Sequence, residues 1–151
     1  MDVDIVADLN TKHASTLTEL LRERFYVDAI MMQNAIDQRG SFNLVHKESF
    51  YKVDIFLPKQ RDFDQTQFDR KVAQQLGSKD EPQAYFASPE DTVLSKLEWY
   101  QAGGETSERQ WLDVLGILKV QKGRLDIELM KKWALRLQVL DLLERALNEA
   151  G

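Results

Sequence analysis

Cysteine is absent from this 151-residue chain, and histidine occurs only as His13 and His46. The absence of cysteine excludes disulfides and thiolate metal sites, and neither histidine belongs to an H-E-x-x-H zinc motif. No apolar run approaches the ~20 residues that a membrane-spanning helix needs. Residues 1–9 are acidic and lack the basic start of a signal peptide. These absences predict a cytoplasmic protein with no membrane partner.

Acidic residues outnumber basic ones, 25 to 20, which gives a formal net charge of −5. This balance argues against broad non-specific binding to a phosphate backbone, which needs clustered Lys and Arg. A local basic cleft remains compatible with it. The length and the 43% hydrophobic content fit one compact domain with its own core.

The first half of the chain reads as a mixture of short strands and helices. Strands are predicted over Val3–Ala7, Ser41–Lys47, Phe50–Leu57, Val72–Leu76 and Ala84–Ala87. Helices are predicted from Thr11 through the apolar positions Leu17, Leu20, Leu21 and Phe25, over Asp28–Gln38, and over Phe63–Asp69. The second and third strands are predicted to form a hairpin around Lys47-Glu48-Ser49, and the last two strands are predicted to pair around a polar loop, 77–82.

The second half reads as helical. Ser88-Pro89 is a strong helix start, and that helix is expected to end near Gly103-Gly104. Three more helices are predicted, over Thr106–Gln121, after a cap at Asp126, and over Leu140–Glu149. The prediction is therefore one α+β domain, 1–151, with a small mixed or antiparallel β-sheet in 1–87 and a helical part in 88–151.

Asp2 and Asp4 lie two residues apart in the first predicted strand. Alternate residues of a strand share a face, with Cα atoms roughly 6.5 Å apart. Two carboxylates so placed can hold one or two hard cations. The alternative is a pair of solvated acids near a chain end.

Asp54 lies within a strongly β-forming segment, where a charged side chain must face solvent, a cleft or a partner. If its strand lies beside the first, three carboxylates converge. That arrangement suits Mg²⁺-dependent phosphoryl or nucleotidyl transfer. The alternative is an exposed strand residue.

Lys96, Arg109 and Asp113 are the charged candidates of the helical part. Lys96 lies between apolar positions, from which it can reach a phosphate or extend from a buried face. Arg109 and Asp113 are four residues apart on one helix face, so a simple ion pair between them is the alternative. Partial burial of Asp113 and its pairing with Lys96 are also plausible.

The remaining conspicuous side chains are assigned structural places. Four aromatic residues are predicted to belong to the core rather than to a base-stacking surface: Trp99, Tyr100, Trp111 and Trp133. His46 is predicted to be a hydrogen-bonded strand residue rather than a metal ligand or a base.

Taken in order, three segments resemble the polymerase β-type nucleotidyltransferase superfamily. The D-x-D strand of that superfamily is similar to Asp2-Val3-Asp4-Ile5-Val6-Ala7-Asp8-Leu9. The hairpin that carries its third carboxylate is similar to residues 41–46 together with 52–56. The stretch from Ala87-Ser88-Pro89-Glu90-Asp91 through Lys96 to Ser107–Val114 resembles the group related to AbiEii-type toxins of abortive-infection toxin–antitoxin systems. The resemblance covers nearly all of the chain.

The resemblance implies a metal-dependent transfer of a nucleotide from a nucleoside triphosphate (NTP) to a hydroxyl acceptor. Asp2, Asp4 and Asp54 would bind Mg²⁺, or Mn²⁺ in its place. Lys96 would contact the phosphates, with Asp113 as the downstream acid and Arg109 supporting the same face. RNA or protein acceptors and an antitoxin partner fit the toxin-like relatives.

One departure from the superfamily pattern concerns the Gly-Ser motif, which normally lies roughly ten residues before D-x-D and approaches the triphosphate closely. This sequence begins one residue before Asp2. The expectation is a truncated chain, a misassigned start or a degenerate member. Such a chain could self-associate to cover exposed apolar surface. The alternative function is a non-catalytic module that binds a nucleotide or a protein.

Overall fold

The computed structural model describes residues 2–77 and 83–151, with Asp2 described in its backbone only. These residues form seven helices and six strands and group into two compact units, Met1–Gln65 and Thr66–Gly151. The first unit contains β1 (Asp2–Val6), α1 (Thr11–Leu21), β2 (Phe25–Tyr26), α2 (Ala29–Gln38), β3 (Ser41–His46) and β4 (Lys52–Phe56). Helix α3 (Asp62–Asp69) crosses the boundary. The second unit contains β5 (Val72–Gln75), β6 (Gln83–Phe86), α4 (Pro89–Ala102), α5 (Glu108–Val120), α6 (Ile127–Arg136) and α7 (Leu140–Ala150).

The first unit is built on a four-stranded mixed sheet with the order β1-β4-β3-β2. Strand β1 runs parallel to β4, whereas β3 is antiparallel to both β4 and β2. In the second unit, β5 and β6 form a separate antiparallel pair. The α+β class and the small mixed sheet followed by helices are thereby confirmed.

One face of the four-stranded sheet packs against α1 and α2. Its core consists of Ala14, Met32, Ala35, Ile36, Phe42, Leu44, Ile55 and Leu57. Along β3, Phe42 and Leu44 are buried while Ser41 and Asn43 are exposed, the alternation expected of a strand with one covered face. The side chains of the opposite face therefore point away from both helices.

The second unit packs the apolar stripes of α4 to α7 against one another. Its most deeply buried side chains include Val93, Leu94, Leu97, Val114, Met130, Val139, Leu143 and Ala146. The Ser88 hydroxyl caps α4 by accepting a hydrogen bond from the backbone N–H of Asp91 at 3.1 Å. The fully buried Asp91 carboxylate accepts two hydrogen bonds from Arg70, Nε–Oδ2 at 3.0 Å and Nη2–Oδ1 at 2.5 Å.

Two local predictions are wrong. Helix α1 ends at Leu21, and Phe25, which was expected on that helix, lies in β2, edge-on to His46 with ring centroids 5.2 Å apart. Trp99 is exposed, because the buried stripe of α4 runs through Leu97 and Tyr100 and leaves it outside. Tyr100, Trp111 and Trp133 are buried as predicted.

The boundary between the two compact units lies within α3. Whether the whole chain acts as one domain stays a prediction. Most of the predicted loop 77–82 lies outside the described residues. Within the described ranges, no helix is both long and apolar enough to cross a membrane.

Candidate functional site

Two of the predicted metal ligands are neighbours in the sheet. The parallel register of β1 and β4 places Asp4 directly beside Asp54. Neighbouring strands lie about 4.8 Å apart, and residues in register point to the same face. That face is the one turned away from α1 and α2, since Ile55, the next residue of β4, points into the core. We call this surface, with Asp4, Asp54 and Asn43, the acidic face.

Asp2, the third predicted ligand, is only partly defined. Its backbone lies in register with Lys52, two residues before Asp4 on the same strand. Its side chain lies outside the described residues. The structure therefore brings together two of the three carboxylates and aligns the backbone of the third with them.

The acidic face includes two residues that the sequence analysis missed. Lys52 Nζ lies 2.9 Å from Asp54 Oδ1, and the Asp54 side chain is only 22% exposed. Asn43 lies in register with Asp54 on its other side, in the antiparallel strand β3. Strand periodicity could have assigned Lys52 to this face, since it precedes Asp54 by two residues. Asn43 needs the register of β3 with β4, which no local signal gives.

The two carboxylates differ in their electrostatic surroundings. Asp54 is neutralised by Lys52. Asp4 is exposed and has no side-chain partner within the described part of the chain. Carboxylate and amide oxygens are the ligands that Mg²⁺ prefers, and the Lys52 ammonium is suited to a phosphate. Among the side chains that the structure describes, no group of three or more acidic or histidine residues is arranged to hold a metal ion.

The other three predicted residues belong to the second unit. Lys96 Nζ, on α4, donates to Asp113 Oδ2, on α5, at 2.9 Å, which confirms the expected pairing. Asp113 is exposed rather than partly buried. Arg109 is exposed one turn earlier on α5, and the described residues include no ion pair between it and Asp113. Whether this group serves the acidic face stays a prediction, because the two groups lie in separate units.

His46 has the structural place that was predicted for it. Its Nδ1 lies 2.8 Å from the Ser49 hydroxyl in the turn between β3 and β4. Its ring also packs edge-on to Phe25. The imidazole therefore contributes to the hairpin and to the core side of the sheet, and not to the acidic face.

A shallow groove of about 410 Å³ lies elsewhere in the first unit, between α2 and the start of β3. Its one charged lining residue is Asp28, and its apolar lining includes Ile30 and Met31. The Asp28 carboxylate already accepts hydrogen bonds from two backbone N–H groups of α2. A phosphate needs cations or free N–H donors, so this groove is unsuited to a triphosphate.

No model of a known protein family matches the chain, and no curated protein or solved structure matches it. The likeness to nucleotidyltransferases consequently depends on the sequence segments quoted above. What the fold adds is the placement of Asp4 beside Asp54 on one face of the sheet.

Proposed function

We propose that the acidic face binds a divalent cation with the phosphates of a nucleoside triphosphate, as in a nucleotidyltransferase. The observation that carries this proposal is the register of Asp4 with Asp54 on the face turned away from α1 and α2. Two adjacent carboxylates supply the hard oxygen ligands that Mg²⁺ or Mn²⁺ requires. Asp2, two residues before Asp4, is the third proposed ligand.

The proposed reaction is the transfer of a nucleotide to a hydroxyl group. The acceptor oxygen would attack the α-phosphorus, the bond to the bridging oxygen would break, and pyrophosphate would leave. Asp4 and Asp54 would hold a divalent cation, which when bound would offset the negative charge of the triphosphate and favour the deprotonated acceptor oxygen. Lys52 would exchange its bond to Asp54 for a phosphate oxygen once the metal neutralises the carboxylate. RNA and protein are the proposed acceptor classes, and an antitoxin protein is a proposed partner.

On the sequence resemblance, three residues are proposed to bind the nucleotide: Lys96 by contact with its phosphates, Asp113 as the downstream acidic residue, and Arg109 by supporting the same face. Lys96 is already paired with Asp113, so binding a phosphate requires it to share or exchange that partner. Replacement of Lys96 by Met removes the ammonium and keeps much of the apolar stem. This variant separates the contribution of Lys96 to nucleotide binding from that of the acidic face.

A second candidate function is a non-catalytic nucleotide- or protein-binding module. The observation in its favour is the 2.9 Å ion pair of Lys52 with Asp54, which satisfies one of the two carboxylates without a metal. In that case Mg²⁺ would add little to binding, and no nucleotide would be transferred.

The test is a thermal-shift titration of each NTP with and without Mg²⁺. A ligand that binds only the folded state at ~100 times its Kd stabilises it by about 2.7 kcal/mol, a readily measured rise in Tm. We expect a Mg²⁺-dependent rise in the wild-type chain, its loss in Asp4→Asn and Asp54→Asn, and a smaller rise in Lys96→Met. Asp37→Asn is the matched control, because Asp37 is an exposed acid on α2.

Three outcomes decide between the two functions. A Mg²⁺-dependent shift that Asp4→Asn abolishes, together with labelled nucleotide appearing on RNA or protein, supports nucleotidyl transfer. An equal shift with and without Mg²⁺ supports the non-catalytic module. No shift with any NTP at millimolar concentration, or an undiminished Mg²⁺-dependent shift in Asp4→Asn, contradicts the proposed metal site.

A further inference from the structure

Strand β1 forms an open edge of the four-stranded sheet. Its one strand partner within the described residues is β4. The backbone N–H of Ala7, just after β1, donates to the carbonyl of Phe56 at 3.0 Å. In a strand, the N–H and C=O groups of successive residues point to opposite sides. Those of Val3 and Ile5 therefore face β4, as at Ala7, and those of Asp4 and Val6 face outward.

The side chains along this edge are more exposed than most of those on β4, the strand beside it. Val3, Ile5 and Val6 are 46%, 43% and 46% exposed. Val3 and Ile5 share the face of the core residue Ile55, yet they lie outside the cover that α1 and α2 provide. An added strand next to β1 would bury these apolar side chains and pair the outward backbone groups of Asp4 and Val6.

Apart from its aspartates, β1 lacks the usual protections of a free edge. Natural edge strands are commonly blocked by Lys, by Pro, by a bulge or by being very short. Strand β1, with the sequence DVDIV, contains neither Lys nor Pro and pairs with β4 over five consecutive positions without a bulge. The opposite edge strand, β2, is only two residues long. Of the two edges of this sheet, β1 is therefore the one that can receive another strand.

The charge of β1 favours a basic partner over a second copy of the same strand. Two copies of β1 that pair antiparallel and align Val3 with Ile5 of the other chain would place Asp4 opposite Asp4. Like charges directly opposite one another destabilise strand pairing. The next acid, Asp8, is already paired with Arg39 at 2.6 Å, whereas Asp4 has no ionic partner in the described part of the chain.

We propose that β1 receives an extended basic segment of another protein, added as a fifth strand of the sheet. Lys or Arg of the incoming strand would lie on the acidic face beside Asp4, and its alternate apolar residues would cover Val3 and Ile5. Main-chain hydrogen bonds give such strand addition its affinity, and the alternating side chains give its specificity. This proposal goes beyond the proposed nucleotide site, and its test contains neither Mg²⁺ nor nucleotide.

The probe is a fluorescent peptide of alternating Lys and Val, about six residues long to match a typical strand. A Glu–Val peptide of the same length is the charge control. A third peptide keeps the Lys–Val sequence but carries N-methyl groups on the amides that would face β1, which blocks pairing and preserves charge. Binding to the whole chain is measured by fluorescence anisotropy, with light scattering to follow the mass of the chain.

We expect the Lys–Val peptide to bind at least about tenfold more tightly than either control peptide. In Asp4→Lys the preference should reverse, so that the Glu–Val peptide binds more tightly. Asp37→Lys makes the same change in net charge on α2 and should leave the preference unchanged. Hydrogen exchange should show new protection of the Asp4 and Val6 amides when the Lys–Val peptide is bound.

Several results would overturn the proposal. Equal binding of the N-methylated peptide would mean that surface charge alone attracts the probe. Absence of Lys–Val binding up to about 1 mM, or an unchanged preference in Asp4→Lys, would exclude a basic strand at β1. A wild-type dimer in which the Asp4 and Val6 amides are protected without peptide would identify a second copy as the occupant. Because nucleotide is absent, failure of the Mg²⁺–NTP titration leaves this result unaffected.

Discussion

Asp91 in the second unit and Asp4 in the first unit have different surroundings. In the helical unit, Asp91 is 0% exposed, and both of its carboxylate oxygens are bonded to Arg70. In the first unit, Asp4 is exposed and has no side-chain partner among the described residues. Beside it, Asp54 forms one ion pair within that part of the chain, with Lys52. A carboxylate whose oxygens are satisfied inside a core stabilises the fold, whereas adjacent carboxylates with unused oxygens are available to a ligand. The bonding of each carboxylate, more than its sequence motif, therefore indicates its role.

The largest expected effect is that of Asp91→Ala. Removing one partner of a buried ion pair leaves the other charge uncompensated and costs about 3–5 kcal/mol. Here the charge left without its partner would be that of Arg70, whose guanidinium carbon also lies 5.5 Å from the centre of the Trp133 ring. The free energy of unfolding, measured by urea denaturation, should fall by that amount. Asp113→Ala removes an exposed ion pair and should cost no more than about 1 kcal/mol. If the two variants lost the same free energy of unfolding, buried and exposed carboxylates would not differ in their contribution to stability.

Local signals explain why most helices were predictable from the sequence. Ser88-Pro89 before α4 and Asp126 before α6 are capping residues whose effect is confined to one turn of helix. The glycine pair at 103–104 likewise follows the end of α4 at Ala102. In each case the residues that decide the boundary lie within a few positions of it.

The site and the buried ion pair depend on residues that are far apart in sequence. Arg70 and Asp91 are separated by 21 positions, and nothing near either residue indicates its partner. The convergence of Asp4 with Asp54 follows from the sequence only if β1 pairs with β4, and that pairing is set by the sheet as a whole. Strand β2 was missed for the same reason, since its two residues are defined by pairing with β3.

Asp28→Ala should lower the free energy of unfolding by less than Asp91→Ala does. It allows a capping aspartate to be compared with Asp4 within the first unit. Asp28 is exposed like Asp4, but its Oδ1 accepts hydrogen bonds from the N–H groups of Ile30 and Met31, both at 2.9 Å. Loss of such a cap costs about 1 kcal/mol. Asp37→Ala, near the other end of the same helix, should change the free energy of unfolding by only about 0.5 kcal/mol or less. If Asp28→Ala lowered the free energy of unfolding by no more than Asp37→Ala does, the cap would contribute nothing to stability in solution.

The smallest change in the free energy of unfolding is expected for Asp4→Asn. This change should be an increase, whereas the substitutions above lower the free energy of unfolding. Like charges directly opposite across two strands are destabilising, so removing the Asp4 charge beside Asp54 should raise the free energy of unfolding by about 0.2–0.5 kcal/mol. This increase in the free energy of unfolding should be small, because Lys52 already offsets the charge of Asp54. Asp8→Asn, which breaks the ion pair with Arg39, should lower stability slightly instead. Millimolar Mg²⁺ should narrow the difference between Asp4→Asn and the wild type, because the cation stabilises only the chain that retains both carboxylates. A fall in the free energy of unfolding of more than about 1 kcal/mol in Asp4→Asn would show that Asp4 supports the fold, and the contrast between Asp4 and the buried Asp91 would then fail.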